Sequence, residues 1–197
     1  MALAAATVPY ELRFGAGRVC LDLLSTTHPV ERLDSLPPLR AWITGSGLVP
    51  PGCPPTHADA SWLTAFRELR GDVAELVRGC LAAELRAHDL ALARVNDIAR
   101  TAPPAPRAVR GEDGTLVREL AGPPDCAALL AAVARDAVEL LTDPEARAAL
   151  RQCEGDNCPI VYLDTSRGRR RRWCSSEVCG NRERVARHRR RAAHSET

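Results

Sequence analysis

Four cysteines in the last quarter of the sequence have the residue type and spacing of a metal site. They are Cys153, Cys158, Cys174 and Cys179, with four residues inside each pair and fifteen between the pairs. Two close cysteine pairs joined by a short loop can converge on one tetrahedral ion, and zinc prefers four thiolates in closed sites. A site closed by four thiolates has no open coordination position. The sequence therefore predicts one structural zinc ion with no catalytic role.

Two disulfides, four buried free thiols or an iron–sulfur cluster would use the same four residues. A reducing compartment argues against disulfides. Only about 40 residues surround these cysteines, which is too few to form a stable apolar core without a cross-link or a bound metal ion. We therefore favour the metal, with zinc as the ion. The other four cysteines lie in or beside apolar stretches and are interpreted as small buried hydrophobic residues: Cys20, Cys53, Cys80 and Cys126.

Positive charge is unevenly distributed along the chain. All 27 basic residues are arginine. Residues 1–150 hold 15 arginines and 19 acidic residues, a formal charge of −4, whereas residues 151–197 hold 12 arginines and 6 acidic residues, a formal charge of +6. Such an asymmetry indicates an anionic partner for the basic segment.

Eleven arginines lie between residues 167 and 191, where only Glu177 and Glu183 oppose them. A guanidinium group donates two parallel hydrogen bonds to phosphate oxygens, and the release of counterions makes such binding depend on salt. The alternatives are a solvated charge run and arginines packed against the acidic remainder of the chain. The predicted nucleic-acid contacts are Arg169, Arg170, Arg171, Arg172, Arg182, Arg184, Arg187 and Arg191.

Two local features are expected to position these groups. Gly155 and Asn157 can bend the loop between the first two cysteines. Ser175 or Ser176 can cap a helix, which places Cys179 in its first turn, where the helix dipole favours a thiolate. The helix then has an arginine face with Arg184, Arg187 and Arg191, and a face towards the zinc core with Val178, Val185 and Ala186.

The remainder of the chain is predicted to be mainly helical. Aromatic residues make up only 4% of the sequence, so the core must come from Leu, Val and Ala, which favours helices. Apolar residues recur at spacings of three and four from Trp62 to Leu81, within a pattern that begins at Thr56 and continues through Leu85 to about Arg100, with a break expected near His88 and Asp89. Further helices are expected after Ser35, Asp125 and Asp143.

Two short segments are read separately. Residues 19–24 fit a short strand or a helix, because periodicity cannot decide so short a run. Residues 108–120 predict a β-hairpin with its turn at 111–114. The predicted fold is therefore mainly α with a small β-hairpin: a helical N-terminal domain over residues 1–145 and a small treble-clef-like zinc finger over 146–197.

No apolar run approaches the ~20 residues needed to span a bilayer, and residues 1–7 lack the basic start of a signal peptide. We expect a cytoplasmic protein without a membrane partner. The five histidines form no catalytic arrangement with Ser, Cys or carboxylates, and Asp22 and His28 are interpreted as an exposed pair. We expect no enzyme activity, and the N-terminal domain is expected to bind an apolar effector or a partner protein.

Residues 173–182 resemble the signature of the CGNR zinc-finger proteins, named for the run from Cys179 to Arg182. Residues 162–167 and the arginines before Trp173 match the same pattern. Upstream, residues 14–27 and 39–42 resemble the N-terminal ABATE domain of that family. Ser25 departs from the family pattern, in which Asn is common.

This resemblance implies a bacterial stress-induced transcription regulator whose four cysteines bind zinc, and it is the main reason to prefer duplex DNA over RNA. The segment also lacks the aromatic set of a single-strand stacking platform. Because duplex sites often require dimers, a homodimer is possible. The alternatives are a protein-interaction module whose basic patch binds an acidic partner, and a redox switch in which oxidation of the thiolates releases zinc.

Overall fold

The structure is a computed structural model that describes residues 12–82, 84 and 88–195, with the backbone alone for 191–195. A 3-10 turn follows the first helix and a π-helical turn (Ser176–Gly180) precedes the last one. The prediction of a mainly helical fold with a small zinc finger is confirmed. The described elements are α1 (Val19–Leu24), α2 (Leu36–Gly45), α3 (Ala60–Ala82), α4 (Asp89–Ala99), β1 (Pro106–Arg110), β2 (Leu116–Leu120), α5 (Cys126–Thr142), α6 (Pro144–Ala149), β3 (Leu150–Gln152), β4 (Val161–Leu163) and α7 (Asn181–Ser195).

Residues 19–24, for which the sequence did not distinguish a strand from a helix, form helix α1. Asp136 on α5 explains this choice, because its Oδ2 accepts a hydrogen bond of 2.9 Å from the backbone N–H of Cys20 in the first turn of α1. The carboxylate also pairs with Arg18 at 2.8 Å. A carboxylate satisfies the otherwise unpaired N–H groups at a helix start. The determinant therefore lies more than 100 residues away, beyond any local pattern.

Helices α1 to α5 enclose the apolar core. The predicted stripe of α3 is buried from Trp62 to Val77, whereas Leu81 at its end is 40% exposed. The helix begins at Ala60 rather than Thr56, because the Asp59 carboxylate accepts the N–H of Ser61 at 2.8 Å and starts the first turn there. Leu85 lies outside the described residues. Helix α5 begins as predicted, with Asp125 accepting the N–H of Ala128 at 2.9 Å. Across the part of the chain that the structure describes, each helix is too short or too polar to span a membrane.

Two antiparallel hairpins complete the fold. Strands β1 and β2 form the predicted hairpin, with Pro106 opposite Leu120. The second hairpin, β3–β4, pairs Leu150 with Leu163 and was missed by the sequence analysis. Each of its strands has only three residues, which is too short for an alternating pattern to be recognised. It is nevertheless the element that carries the first cysteine pair.

Strand β4 joins the finger to the helical part of the chain. The N–H of Leu163 donates to the carbonyl of Ala16 at 2.7 Å. Gly17 makes this contact possible, since it has a φ of +92° and a Cβ on it would lie 3.0 Å from the Cβ of Leu163. The segment before α1 is thereby fixed along the edge of the finger.

Candidate metal centre and basic surface

The first cysteine pair lies in the connection between β3 and β4. Cys153 follows β3, and its N–H donates to the carbonyl of Ile160 at 2.9 Å, which extends the ladder by one step. The chain then turns so that the N–H of Cys158 donates to the carbonyl of Gly155 at 3.1 Å. Asn157 has a φ of +53°, a left-handed conformation that Asn tolerates better than most residues. The predicted bend at Gly155 and Asn157 is confirmed.

The second cysteine pair brackets the start of the last helix. Cys174 ends the arginine-rich loop, and Cys179 lies in the π-helical turn before α7. The Oγ of Ser175 accepts the N–H of Val178 at 3.2 Å, so Ser175 is the predicted cap. A π-helical turn is uncommon and often occurs at functional sites. Here it turns the Cys179 side chain towards the other three cysteines.

The four sulfur atoms form one compact buried cluster. All four Sγ atoms lie within 4.8 Å of one another. The Sγ of Cys174 lies 3.7 Å from that of Cys158 and 3.6 Å from that of Cys179. Four sulfurs placed tetrahedrally at about 2.3 Å from a zinc ion would be about 3.8 Å apart, whereas a disulfide requires about 2 Å. The geometry fits zinc and not disulfide bonds.

Backbone N–H groups surround this cluster as they would a set of thiolates. The Sγ of Cys153 accepts from the N–H of Gly155 at 3.4 Å and from the N–H of Cys174 at 3.3 Å. A Cβ on Gly155 would lie 3.1 Å from the Cβ of Cys179 and 3.3 Å from its Sγ. A larger residue here would crowd the side chains of Cys179 and Cys153, so the absence of a Cβ helps the sulfurs to come close together. Outer hydrogen bonds of this kind orient metal ligands and stabilise their negative charge.

The pKa values of Cys158, Cys174 and Cys179 show that these thiols interact strongly with one another. A hydrogen bond from Cys174 lowers the pKa of Cys158 to about 5. The same hydrogen bond raises the pKa of Cys174, and burial raises that of Cys179 to about 11. Thiolates this close repel one another, and a divalent cation at their centre removes that repulsion. The cluster supports one structural zinc ion.

Arg171 connects the metal site to the rest of the molecule. Its guanidinium donates to the carbonyls of Trp173 and Cys174 and, at 3.2 Å, to that of Gly15. The guanidinium also lies 4.4 Å from the ring centre of Tyr162, whose hydroxyl donates to the carbonyl of Arg171 at 2.6 Å. This side chain is engaged in holding the loop, which the sequence analysis did not anticipate.

The other arginines of the loop differ from one another. Arg172 pairs with Glu154 at 2.6 Å, and its guanidinium lies 5.1 Å from the ring centre of Trp173. Arg169 and Arg170 are exposed, and neither has an ion-pair partner among the described residues. The four loop arginines were predicted as one cluster. Arg171 and Arg172 have contacts within the protein, whereas Arg169 and Arg170 have no ion-pair partner among the described residues.

Helix α7 carries the remaining predicted arginines. Arg182, Arg184 and Arg187 are exposed and have no carboxylate partner within the described part of the chain. For Arg191 only the backbone is described. The expected core face is partly wrong: Val178 and Ala186 are half-buried, but Val185 is 44% exposed.

Two features of the site were available in the sequence but not recognised. The run from Ile160 to Leu163 is rich in β-branched and aromatic residues, which is typical of a strand, and it indeed contains β4. Asp164, which is almost completely buried, accepts from the N–H and hydroxyl of Ser166 and from the N–H of Arg171. This Asp-x-Ser arrangement is a familiar turn. The contact of the loop with Gly15 has no sequence signal.

Comparison with family models gives two matches. Residues 17–144 match the ABATE family, described as "Putative stress-induced transcription regulator". Residues 149–192 match the CGNR zinc finger. The first match covers more than half of the chain. Neither description is that of an enzyme family. No match was found among curated proteins.

Proposed function

Since this chain belongs to the ABATE family of stress-induced transcription regulators and carries a CGNR zinc finger, we propose that it binds duplex DNA through helix α7 and the arginine loop of the finger. Zinc folds the finger, and the finger presents the arginines. The observation that carries this proposal concerns five exposed finger arginines that have no carboxylate partner among the described residues: Arg169, Arg170, Arg182, Arg184 and Arg187.

The ion pairs of the described residues support this. Glu154 pairs with Arg172 at 2.6 Å, and Glu183 approaches Arg190 at 4.0 Å. Both belong to the finger itself. If the basic segment served to neutralise the helical part, its arginines would pair with carboxylates there. The positive charge instead remains available to an external anion.

The shape of α7 suits a DNA groove. At 15 residues it is about 22 Å long, and between Asn181 and Arg190 only Glu183 and Ala186 are partly buried. Arg182 and Arg189 lie on one side of this packed stripe, and Arg184 and Arg187 on the other. A helix in the major groove meets phosphates on both walls. Guanidinium groups on two sides of one helix match that arrangement.

The loop extends the same surface. Arg169 and Arg170 are exposed just before the second cysteine pair, and the zinc site holds them beside the start of α7. Arg171 contributes by positioning this loop, because its guanidinium is used by carbonyl groups of the protein. We propose that residues 1–145 form the regulatory domain and residues 146–197 the binding domain, and that dimerisation strengthens the weak binding of a single finger.

The experiment is fluorescence anisotropy of a labelled random duplex at several salt concentrations, with zinc-loaded protein. The double variant Arg184→Ala/Arg187→Ala preserves helix propensity. It is expected to weaken binding at least tenfold and to reduce the slope of log affinity against log salt by about 2, since each phosphate contact contributes about 0.9.

The matched control is Arg118→Ala, which removes an exposed arginine of β2 that has no carboxylate partner in the described structure. Its affinity and salt slope should equal those of the unchanged protein. Binding that is absent, or insensitive to salt, would refute the proposal. Capture of an acidic protein that survives nuclease treatment, together with absent duplex binding, would favour the interaction module instead.

A further inference from the structure

A cleft of about 600 Å³ separates the segment before α1 from the arginine loop. Arg13 and Phe14 line it on one side, and Arg170 and Trp173 on the other. This volume is in the range of small-molecule sites. Neither the zinc cluster nor the proposed DNA surface accounts for a cavity of this size between the two parts of the chain.

The lining of the cleft has an excess of positive charge. Its charged residues are Arg13, Arg170, Arg171, Arg172 and Glu177. Two of these arginines have internal partners, as described above. The other two, Arg13 and Arg170, have no carboxylate partner among the described residues, and the one polar contact of the Arg13 side chain is the Sγ of Cys174 at 4.0 Å. Two guanidinium groups at one cavity favour a ligand that carries an anionic group.

The other half of the lining is apolar and aromatic. Phe14 is 42% exposed at the cleft, and Leu12, Ile160 and Val178 complete the apolar surface. The indole Nε1 of Trp173 is buried and has no acceptor within the described residues. That atom is closed to solvent, so the exposed aromatic surface of the cleft comes mainly from Phe14. These groups fit a planar apolar body better than a bare inorganic ion.

We propose that this cleft binds a small organic anion with a planar apolar body, whose charged group pairs with Arg13 and Arg170. A phosphate of the DNA backbone would leave the surface of Phe14 and Trp173 uncovered, which favours a small molecule over DNA at this position. A consequence rests on the proposed function: because Arg170 belongs to both the cleft and the DNA surface, the bound anion weakens DNA binding.

The test uses two fluorescent probes that differ in charge. One is 1-anilinonaphthalene-8-sulfonate, an aromatic anion, and the other is N-phenyl-1-naphthylamine, its uncharged counterpart. Zinc-loaded protein should bind the sulfonate with a stoichiometry of one per chain. Arg13→Gln and Arg170→Gln should each weaken the sulfonate about five- to tenfold and leave the uncharged probe within twofold. The matched control is Arg187→Gln, which removes the same charge from α7, outside the cleft.

Each outcome decides the question, provided that the variants retain one zinc per chain. Absent sulfonate binding, or equal weakening by Arg187→Gln and Arg170→Gln, would overturn the proposal. A second measurement titrates the sulfonate into the protein–duplex complex, where the affinity for DNA should fall at least threefold. If the protein binds the sulfonate as expected but does not bind DNA, the proposed function fails and the cleft remains a ligand site.

Discussion

Two parts of the described chain, the helical body up to residue 145 and the finger from residue 146 onward, are stabilised in different ways. The body buries Leu, Val and Ala side chains from α1 to α5, including the fully buried Leu21, Leu69 and Leu129. In the finger, α7 contributes no fully buried side chain between Asn181 and Arg190. Its loop and helix are instead held by the sulfur cluster and by hydrogen bonds to carbonyl groups.

This difference indicates how each part should respond to damage. Burying apolar area stabilises the body in proportion to that area, at about 25 cal/mol per Å². The finger depends on a few specific contacts, and many of them converge on the metal site. A single substitution should therefore lower the stability of the body by a limited amount, whereas loss of the metal should unfold the finger completely. Removal of the metal is the most direct way to test this contrast.

Removal of zinc is expected to have the largest effect. Zinc supplies on the order of 10 kcal/mol to small zinc-binding folds, and an isolated helix of 15 residues is marginal in water. With a chelator, or with Cys174→Ser, the finger should unfold while the body remains folded. Circular dichroism should show the loss of about one helix, and metal analysis should fall from one zinc per chain towards zero.

The control is Cys53→Ser, which changes a half-buried cysteine outside the cluster and should retain one zinc per chain. Complete unfolding of the chain by a chelator would contradict the contrast, because it would show that the body also depends on the metal.

A cavity in the body is expected to have the next largest effect. Leu129 on α5 is fully buried, and Leu129→Ala should lower the free energy of unfolding by about 2–5 kcal/mol. Urea denaturation followed by circular dichroism measures this change. Leu116→Ala at the hairpin tip, where the side chain is 69% exposed, should cost less than about 0.5 kcal/mol. If Leu129→Ala also abolished zinc binding, the two parts could not be treated separately.

The sequence predicted the two parts through different signals. The long helices of the body follow from periodicity and from local caps such as Asp125, because their determinants lie within one or two turns. The metal site follows from residue type and spacing, since only convergence of the four cysteines makes that spacing useful. Local sequence therefore predicted both the apolar core of the body and the metal site of the finger.

The contacts between the two parts were not predictable from local sequence. The helical state of α1 depends on Asp136, far along the chain, and the role of Arg171 depends on the carbonyl of Gly15. As one of four consecutive arginines, Arg171 cannot be told from its neighbours by residue type. Its hydrogen bonds to carbonyl groups and its position above the ring of Tyr162 distinguish it from Arg170.

Arg171 therefore provides a sharper test at the boundary. Arg171→Ala removes a half-buried guanidinium that donates to carbonyls on both sides of the boundary, and should lower the free energy of unfolding by about 2 kcal/mol. Zinc should also be lost to a competing chelator several times faster. Arg170→Ala, which removes a side chain with no described partner, should change stability by less than about 0.5 kcal/mol. Equal effects of the two variants would show that the boundary contacts contribute little.

The smallest expected effect concerns Asp22, whose Oδ1 accepts the N–H groups of Gly15 and Ala16 at 2.9 Å each and so holds the segment that contacts the finger. Burial, with a smaller contribution from the charge of Asp136, raises the pKa of Asp22 from 3.8 to about 6 against the effect of the two hydrogen bonds. The folded state therefore binds this proton more tightly than the unfolded state. The resulting stabilisation is complete below about pH 4 and is lost as pH rises through 6.

Asp22→Asn keeps an acceptor oxygen and removes the charge. The variant should match the unchanged protein near pH 4 and exceed its free energy of unfolding by about 1 kcal/mol at pH 7, a value reduced because the side chain is only half-buried. Urea denaturation at several pH values measures the difference, with Glu112→Gln at the exposed hairpin turn as control. A constant difference between Asp22→Asn and the unchanged protein at every pH would mean that the boundary does not respond to this charge. A difference that grows between pH 4 and 7 would show that the contact between body and finger contains a titratable group. The stability of that contact would then depend on pH, whereas the contribution of the apolar core of the body would not.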